Sequence, residues 1–182
     1  MDYLLKNGKK VIIRKPTIED AKAIINVITI ADTETLFLAR NPGEFCTTVE
    51  REKQIIEGVL ADNDAEWFVA EYDNKVVGQC AVSLVRRTAR YRHRAEVAFV
   101  LLKDFCNLGI GGRMMQECIK WCEEHGVSQI ELDVVKSNDI AIKMYQSFGF
   151  EIIGTIENAL KYQDDTYADE YLMVKKLNKV NK

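Results

Sequence analysis

Apolar and polar positions along the chain recur with two different periods, and the switches between them divide it into elements. Val11, Ile12, Ile13 and Arg14 read as a short strand closed by Pro16. Ala21, Ile24, Ile25 and Ile28 then recur at helical spacing, which predicts an amphipathic helix entered at Thr17 or Glu19 and running to Ile30. After the Asn41-Pro42-Gly43 loop, Thr47 or Thr48 followed by an acid three or four residues on fits a capping box, opening a helix that runs to about Ala61. Residues 67–72 and 76–85 predict two strands joined by the tight turn Asp73-Asn74. Residues 96–102 are apolar on both faces, as a central strand would be. Residues 109–124 predict a helix with Ile110, Met114, Met115, Cys118, Ile119 and Cys122 as its apolar positions and Gly126 as its stop. Residues 130–135 alternate as a strand, 139–148 form a short helix capped by Ser137 or Asn138 and closed by Gly149, and residues 150–154 and 169–177 are the last two strands.

The resulting order, β-α-α-β-β-β-α-β-α-β-β, predicts an α/β (α+β) fold: one mixed sheet of about seven strands with helices on both faces. The strand–helix–strand unit in the second half requires part of that sheet to be parallel. With 182 residues and neither a repeat nor a linker, the chain reads as a single domain, 1–182, with its core at about 11–177.

Composition narrows the function. A balance of 25 basic against 28 acidic residues argues against nucleic acid as the main partner. The one dense basic stretch, residues 86–94, is either a solvated loop or a positive rim that attracts an anionic cofactor or substrate. The five cysteines, at 46, 80, 106, 118 and 122, form no paired framework and read as reduced thiols of a cytoplasmic protein. Only two histidines are present, His93 and His125, neither at ligand spacing, so no metal is expected. No apolar segment approaches the roughly 20 residues of a membrane span, so no membrane partner is expected either. A homodimer stays open.

Two stretches carry chemistry. In the first, Gly109, Gly111 and Gly112 stand where a buried strand passes into a long helix. Each glycine costs a helix roughly 0.5–1 kcal/mol relative to alanine. The same residues let a ligand approach the backbone, where the free amides of a first helical turn and the positive end of the dipole favour an anion. Close packing of the helix is the other reason for glycine here. The stretch has no Gly-Lys-Ser/Thr, and Met114 stands where a dinucleotide fingerprint would place its third glycine. In the second stretch, Ala141, Tyr145 and Phe148 share a helical face one turn after Asn138. A phenol on an apolar face needs a partner for its hydroxyl. That partner is either a backbone carbonyl or a leaving thiolate of similar basicity.

Together these stretches resemble the GCN5-related N-acetyltransferases. Asn138, Ala141, Tyr145, Gly149 and Phe150 complete one pattern of that family, Asn-x-x-Ala-x-x-x-Tyr-x-x-x-Gly-Phe. The other, (Gln/Arg)-x-x-Gly-x-(Gly/Ala), is present as Cys106-x-x-Gly109-x-Gly111, with cysteine at the usual Gln/Arg position. The resemblance spans roughly residues 11–177 and implies acetyl-CoA as cosubstrate and a primary amine as acceptor, in a small molecule or at a protein N-terminus. It implies that the fourth strand, residues 96–102, is bulged and splayed. The Phe99 amide would then polarise the thioester carbonyl, and Val100 and Leu101 would line the pantetheine arm. Amides of Cys106, Asn107, Leu108, Gly109, Ile110, Gly111 and Gly112 would hold the pyrophosphate. Asn138 would contact the cofactor arm, and Tyr145 would protonate the departing sulfur. For the base, Glu96 lies on the same strand, although its parity opposes that of Phe99 unless a bulge intervenes, and an ion pair with Arg92 or Arg94 would occupy it instead. The substituted Cys106 keeps open a different class, an acetyl-CoA-binding sensor without turnover.

Overall fold

The computed structural model describes residues 1–5 and 8–177. Eight strands, β1 (Asp2–Leu4), β2 (Lys10–Arg14), β3 (Ala65–Tyr72), β4 (Lys75–Leu84), β5 (Arg94–Leu101), β6 (Gln129–Val135), β7 (Glu151–Lys161) and β8 (Tyr167–Lys176), form one sheet in the order β1-β2-β3-β4-β5-β6-β8-β7. Four helices, α1 (Ala21–Glu34), α2 (Val49–Leu60), α3 (Ile110–Glu124) and α4 (Asp139–Ser147), cover it. The helices divide between the two faces as the order of elements predicts. Met114, Met115, Cys118, Trp121 and Cys122 of α3 pack with Val11, Ile13, Cys80, Val82, Ala95 and Val97 in the larger core, which also takes in Ile142 and Tyr145 of α4. Ala21, Ile24 and Ile28 of α1 and Ile56 of α2 pack against Val69 in a second core. No helix among the described residues is long and apolar enough to cross a membrane.

Local signals set most boundaries. The Thr48 hydroxyl caps α2 by accepting the Arg51 amide at 3.1 Å, and the Asn138 carboxamide caps α4 through Ala141. Asp73 and Asn74 both take positive φ, as a two-residue hairpin demands. Three strand predictions need correction. β1 has only three residues, too few to show a period, and makes the strands eight rather than seven. β7 extends to Lys161 rather than stopping at Gly154, because irregularities around Gly154 and between Ile156 and Leu160 break its alternation. β8 correspondingly begins at Tyr167, leaving a short turn where a long loop was expected.

Only β5 and β6 run parallel, and they pair through three residues each: Arg94, Ala95 and Glu96 with Gln129, Ile130 and Glu131. The His93 carbonyl accepts the Ser128 and Gln129 amides at this closed end, and the Arg94 guanidinium grips Glu131 across the two strands. Beyond Glu96 the strands part. The splay is therefore present, but the bulge expected in the same strand is not: β4 and β5 keep continuous register from Leu84 opposite Ala95 to Gly78 opposite Leu101. The register shift lies between β3 and β4, where Val77 is the extra residue. The strands part because β5 stays bound to β4 while β6 stays bound to β8.

Gly78 makes this possible. A Cβ there would lie 2.7 Å from Leu101 Cδ1 and 2.8 Å from the Val100 carbonyl oxygen. Replacing Gly78 with alanine is expected to push the end of β5 off β4 and cost about 1–3 kcal/mol of stability. Chemical denaturation of the Gly78→Ala variant tests this; wild-type stability would mean that β5 has room to move.

Candidate active site

The parting of β5 and β6 leaves one edge of β5 without a strand partner, and the backbone decides which groups face the gap. The Arg94 carbonyl and the Leu102 amide both bond to the β4 side. Because backbone direction alternates along a strand, even-numbered residues of β5 address β4 and odd-numbered ones address β6. Phe99 and Leu101 thus present to the gap N–H and C=O groups that have no partner strand among the described residues. Val100 turns its own backbone toward β4, so it borders the gap only with its side chain.

The open end of the gap leads to the start of α3. Asn107 and Gly109 take φ of 62° and 92°, folding the chain so that its amides converge. The first backbone bond of α3 runs from the Arg113 amide to the Gly109 carbonyl. The amides of Asn107, Leu108, Gly109, Ile110, Gly111 and Gly112 have no intramolecular acceptor among the described residues, which makes a concave anion site at a helix N-terminus. The Cys106 amide is not part of it, because it donates to the Lys103 carbonyl at 3.1 Å in a single helical turn, Lys103–Phe105. Its thiol is turned toward the Leu102 carbonyl, 3.7 Å away, and burial together with nearby Glu34 pushes its pKa up, so it stays protonated. The packing reading of the glycines also holds: a Cβ on Gly111 would meet Met144 Sδ at 3.0 Å, and one on Gly112 would meet the Phe148 ring at 3.5 Å.

Tyr145 is 8% exposed on α4, its ring 6.1 Å from that of Phe99 and 5.8 Å from that of Phe150. Its hydroxyl has no hydrogen-bond partner among the described residues, so the expected alternative of a carbonyl-bonded core tyrosine fails. Burial, with Cys118 and Cys80 nearby, raises its pKa strongly and keeps the phenol a proton donor. Asn138 stands at the α4 N-terminus with its carboxamide oxygen already committed to the Ala141 amide at 3.3 Å.

Glu96 is not brought to Phe99. It lies at the closed end, three residues or about 10 Å along the strand, and without a bulge its side chain points to the other face. Its oxygen accepts the Ser83 hydroxyl at 3.3 Å, while Arg94 pairs with Glu131 and Arg92 with Asp64. The sequence reading missed Asp133. Register puts Glu131 opposite Glu96, so Asp133 lies level with Ala98, at the edge of the gap. Partial burial and nearby Glu131 push its carboxyl pKa up. The basic stretch, finally, precedes β5 while the anion site follows it, about 26 Å away at opposite ends of an eight-residue strand. Arg87 and Arg92 there are ion-paired with Asp62 and Asp64, so the stretch is no rim for that site. No cluster of three metal-ligating side chains occurs among the described residues.

Known proteins resemble this chain in sequence and fold. The sequence pattern of the "Acetyltransferase (GNAT) family" matches residues 30–150. The L-amino acid N-acetyltransferase AaaT of Escherichia coli is 34% identical over 120 residues, 64% of this chain and 72% of that protein. An N-alpha-acetyltransferase of Sulfurisphaera tokodaii is 25% identical over 170 residues, 89% of this chain and 93% of that one. The crystal structure of ribosomal-protein-alanine N-acetyltransferase from Brucella melitensis superposes with a TM-score of 0.80 at 26% identity, covering 91% and 99% of the two chains.

If the six amides hold the phosphates, a carboxylate among them is intolerable. Gly111→Asp is expected to lower affinity for coenzyme A more than tenfold, through like charge and the contact with Met144. Calorimetric titration of the folded variant checks this; wild-type affinity would place the phosphates elsewhere.

Proposed function

Since the chain belongs to the acetyltransferase (GNAT) family, we propose that it acetylates a primary amine by direct attack of that amine on acetyl-CoA in the gap between β5 and β6. As a family member it is an acetyl-CoA-dependent N-acetyltransferase. What supports the mechanism is that three sets of groups without a partner among the described residues lie on adjoining elements: the inward edge of β5 at Phe99 and Leu101, the amides of the α3 N-terminus, and the Tyr145 hydroxyl of α4, whose ring is 6.1 Å from that of Phe99.

Acetyl-CoA supplies a thioester whose carbonyl carbon an amine attacks with loss of the thiol. The residues present suit it. Asn107, Leu108, Gly109, Ile110, Gly111 and Gly112 offer amides to the pyrophosphate, and Leu101 offers its backbone to the pantetheine arm. The Phe99 N–H, on the open edge of β5, would donate to the thioester oxygen, and such a preorganised donor is worth on the order of 3 kcal/mol as negative charge develops there. Tyr145 gives its proton to the departing sulfur. Asn138 borders the arm with its free amide nitrogen. Val100 closes one side of the channel.

The amine must shed a proton on the sheet face away from Tyr145. Glu96, the base expected from sequence, is too far along the strand for this role. Asp133 replaces it here: it faces the same side as Glu96, lies level with Ala98, and has a carboxyl of raised proton affinity. A raised pKa makes it a better base than an ordinary aspartate, and activity is expected to fall as the pH drops and the carboxylate takes up a proton. The reading without turnover, a sensor, is disfavoured by the unbonded phenol and this carboxylate.

Two substitutions separate the roles. Tyr145→Phe is expected to lower kcat by about 10–100-fold with coenzyme A affinity unchanged. An unchanged turnover number in thiol-release assays would remove the phenol from the mechanism. Asp133→Asn is expected to lower kcat/KM by about 10²–10⁴ and abolish the acid limb of the pH–rate profile, while Glu96→Gln stays within a few-fold of wild type. The reverse pattern would restore Glu96 as the base.

A further inference from the structure

A cavity of about 310 Å³ lies away from the open half of the gap, at the closed end where α3 stops and β5 and β6 begin. That volume is at the small end for a ligand pocket. The chain has two histidines, and both, His93 and His125, border this cavity. Arg92 and His93 bring the end of the basic stretch 86–94 to its wall, and Ala89 of the same stretch closes it beside Leu84. Trp121, in the last turn of α3, borders it as well. Acetyl transfer in the gap uses none of these side chains.

The hydrogen-bonding groups of the wall are unevenly satisfied. Trp121 is 5% exposed, and its indole N–H has no acceptor among the described residues. Gln79 Oε1 is the one side-chain atom among them that is both sealed from solvent and without a partner. The Trp121 N–H therefore opens onto free space, and the cavity is the space this side chain borders. His125 stacks on the indole with ring centroids 4.1 Å apart, and its Nδ1 donates to the Trp121 carbonyl at 2.7 Å. The His93 ring and the Asn63 carboxamide, also on the wall, have no side-chain partner among the described residues. The acceptors, by contrast, are taken. Both Asp64 oxygens are held by Arg92, at 2.6 and 3.3 Å. The Trp121 carbonyl accepts both the amide and Nδ1 of His125, and the Glu123 carbonyl accepts the Gly126 amide. His125 Nε2 can accept or, once protonated, donate. Charge agrees with this pattern. Residues 62–64, 84–94 and 120–131 form the cavity's surroundings, and there Arg87 pairs with Asp62, Arg94 with Glu131 and Lys120 with Glu124. Arg86, which lies over the Tyr91 ring, and Arg90 remain without an ion pair among the described residues, against Glu123 alone of the acids.

We propose that this cavity is a second binding site, which takes a small molecule through a carboxylate or phosphate group. The Trp121 and His93 N–H groups and the Asn63 amide donate to that group. Arg86 and Arg90 attract it from solvent, the part of the basic stretch that no carboxylate of the chain occupies. A cation finds no free carboxylate on the wall. The site is separate from the anion site proposed for acetyl-CoA, which lies at the other end of α3, fifteen residues or about 22 Å away.

The test is calorimetric titration of the full chain, first saturated with coenzyme A so that the α3 amides are occupied. The titrants are inorganic phosphate, citrate, adenosine monophosphate and, as a cationic control, 1,4-diaminobutane. At least one of the three anions is expected to bind with a Kd below about 1 mM, and diaminobutane is expected not to bind. Phosphate against citrate tells which acid group the site prefers. Trp121→Phe keeps a ring in the core and removes the donor. His93→Ala changes an exposed side chain and leaves the backbone carbonyl that ties β5 to β6, so it tests the site even where the tryptophan variant fails to fold. Each is expected to weaken the anion about fivefold or more. Absence of binding by all three anions would overturn the proposal, as would preference for diaminobutane. Anions that bind only without coenzyme A occupy the α3 amides, and that result would overturn it too. Affinity lowered by Arg90→Gln but untouched by His93→Ala and Trp121→Phe would put the anion on the exposed loop instead of in the cavity. None of these outcomes touches the assignment of acetyl transfer, which the thiol-release assay reads separately.

Discussion

The structure turns on one parallel pairing that stops after three residues. A strand inside a sheet normally has both edges satisfied, and unpaired backbone groups in a protein interior carry a cost comparable to a lost hydrogen bond. Here β5 and β6 each keep their antiparallel partner and give up one another beyond Glu96 and Glu131. The gap so made has a β5 edge that offers backbone rather than side chains. It is lined by the odd-numbered backbone groups of β5, which no substitution short of proline removes. The closed end is secured by the His93 carbonyl and by Arg94 on Glu131, so the opening has a fixed apex and widens toward the start of α3. The cofactor position and oxyanion donor proposed above both rest on that geometry.

The two faces of the gap then differ in what they offer. On the α3 and α4 side stand N–H donors and a phenol kept protonated by burial. On the other side stand carboxylates whose proton affinity is raised. A thioester exchange with an amine needs this asymmetry, because one proton is delivered to sulfur on one side while another is withdrawn from nitrogen on the other. Net charge says nothing of it. The most basic stretch of the chain lies at the closed end, with Arg87 and Arg92 on Asp62 and Asp64, far from the α3 amides.

What the sequence disclosed was whatever local rules determine. The helices, the Asp73-Asn74 hairpin, the caps to within one residue (Thr47 or Thr48, Ser137 or Asn138), the glycine turn and Tyr145 all show in short stretches of residues. Features that need register did not show. The register shift lies at Val77 of β4, and β5 itself runs without a bulge, so Glu96 and Phe99 stay on opposite faces. Asp133 sits in an ordinary alternating strand, and only its level against Ala98, across a parallel pair formed by distant segments, gives it a role. β1 and the far half of β7 were lost for a different reason, since three residues or a strand broken by irregularities carries no readable period.

The cysteine at position 106 illustrates how the backbone takes over a side chain's task. Its thiol is protonated and turned to the Leu102 carbonyl, and its amide is spent on Lys103, so nothing of Cys106 is left for a phosphate. Charge at this site must be met by the six amides that follow and by the α3 dipole. Those amides are accessible because Gly111 and Gly112 have no side chains, and the same two glycines are the surface on which Met144 and Phe148 of α4 rest. Since α4 also carries Tyr145, the anion site and the proton donor share a single packing contact. A side chain at Gly111 large enough to obstruct the phosphates would also lift α4, moving the phenol away from Phe99. In the proposed mechanism the glycine turn would therefore be more than a phosphate cradle: its packing against α4 would also fix where the Tyr145 phenol stands relative to the anion site.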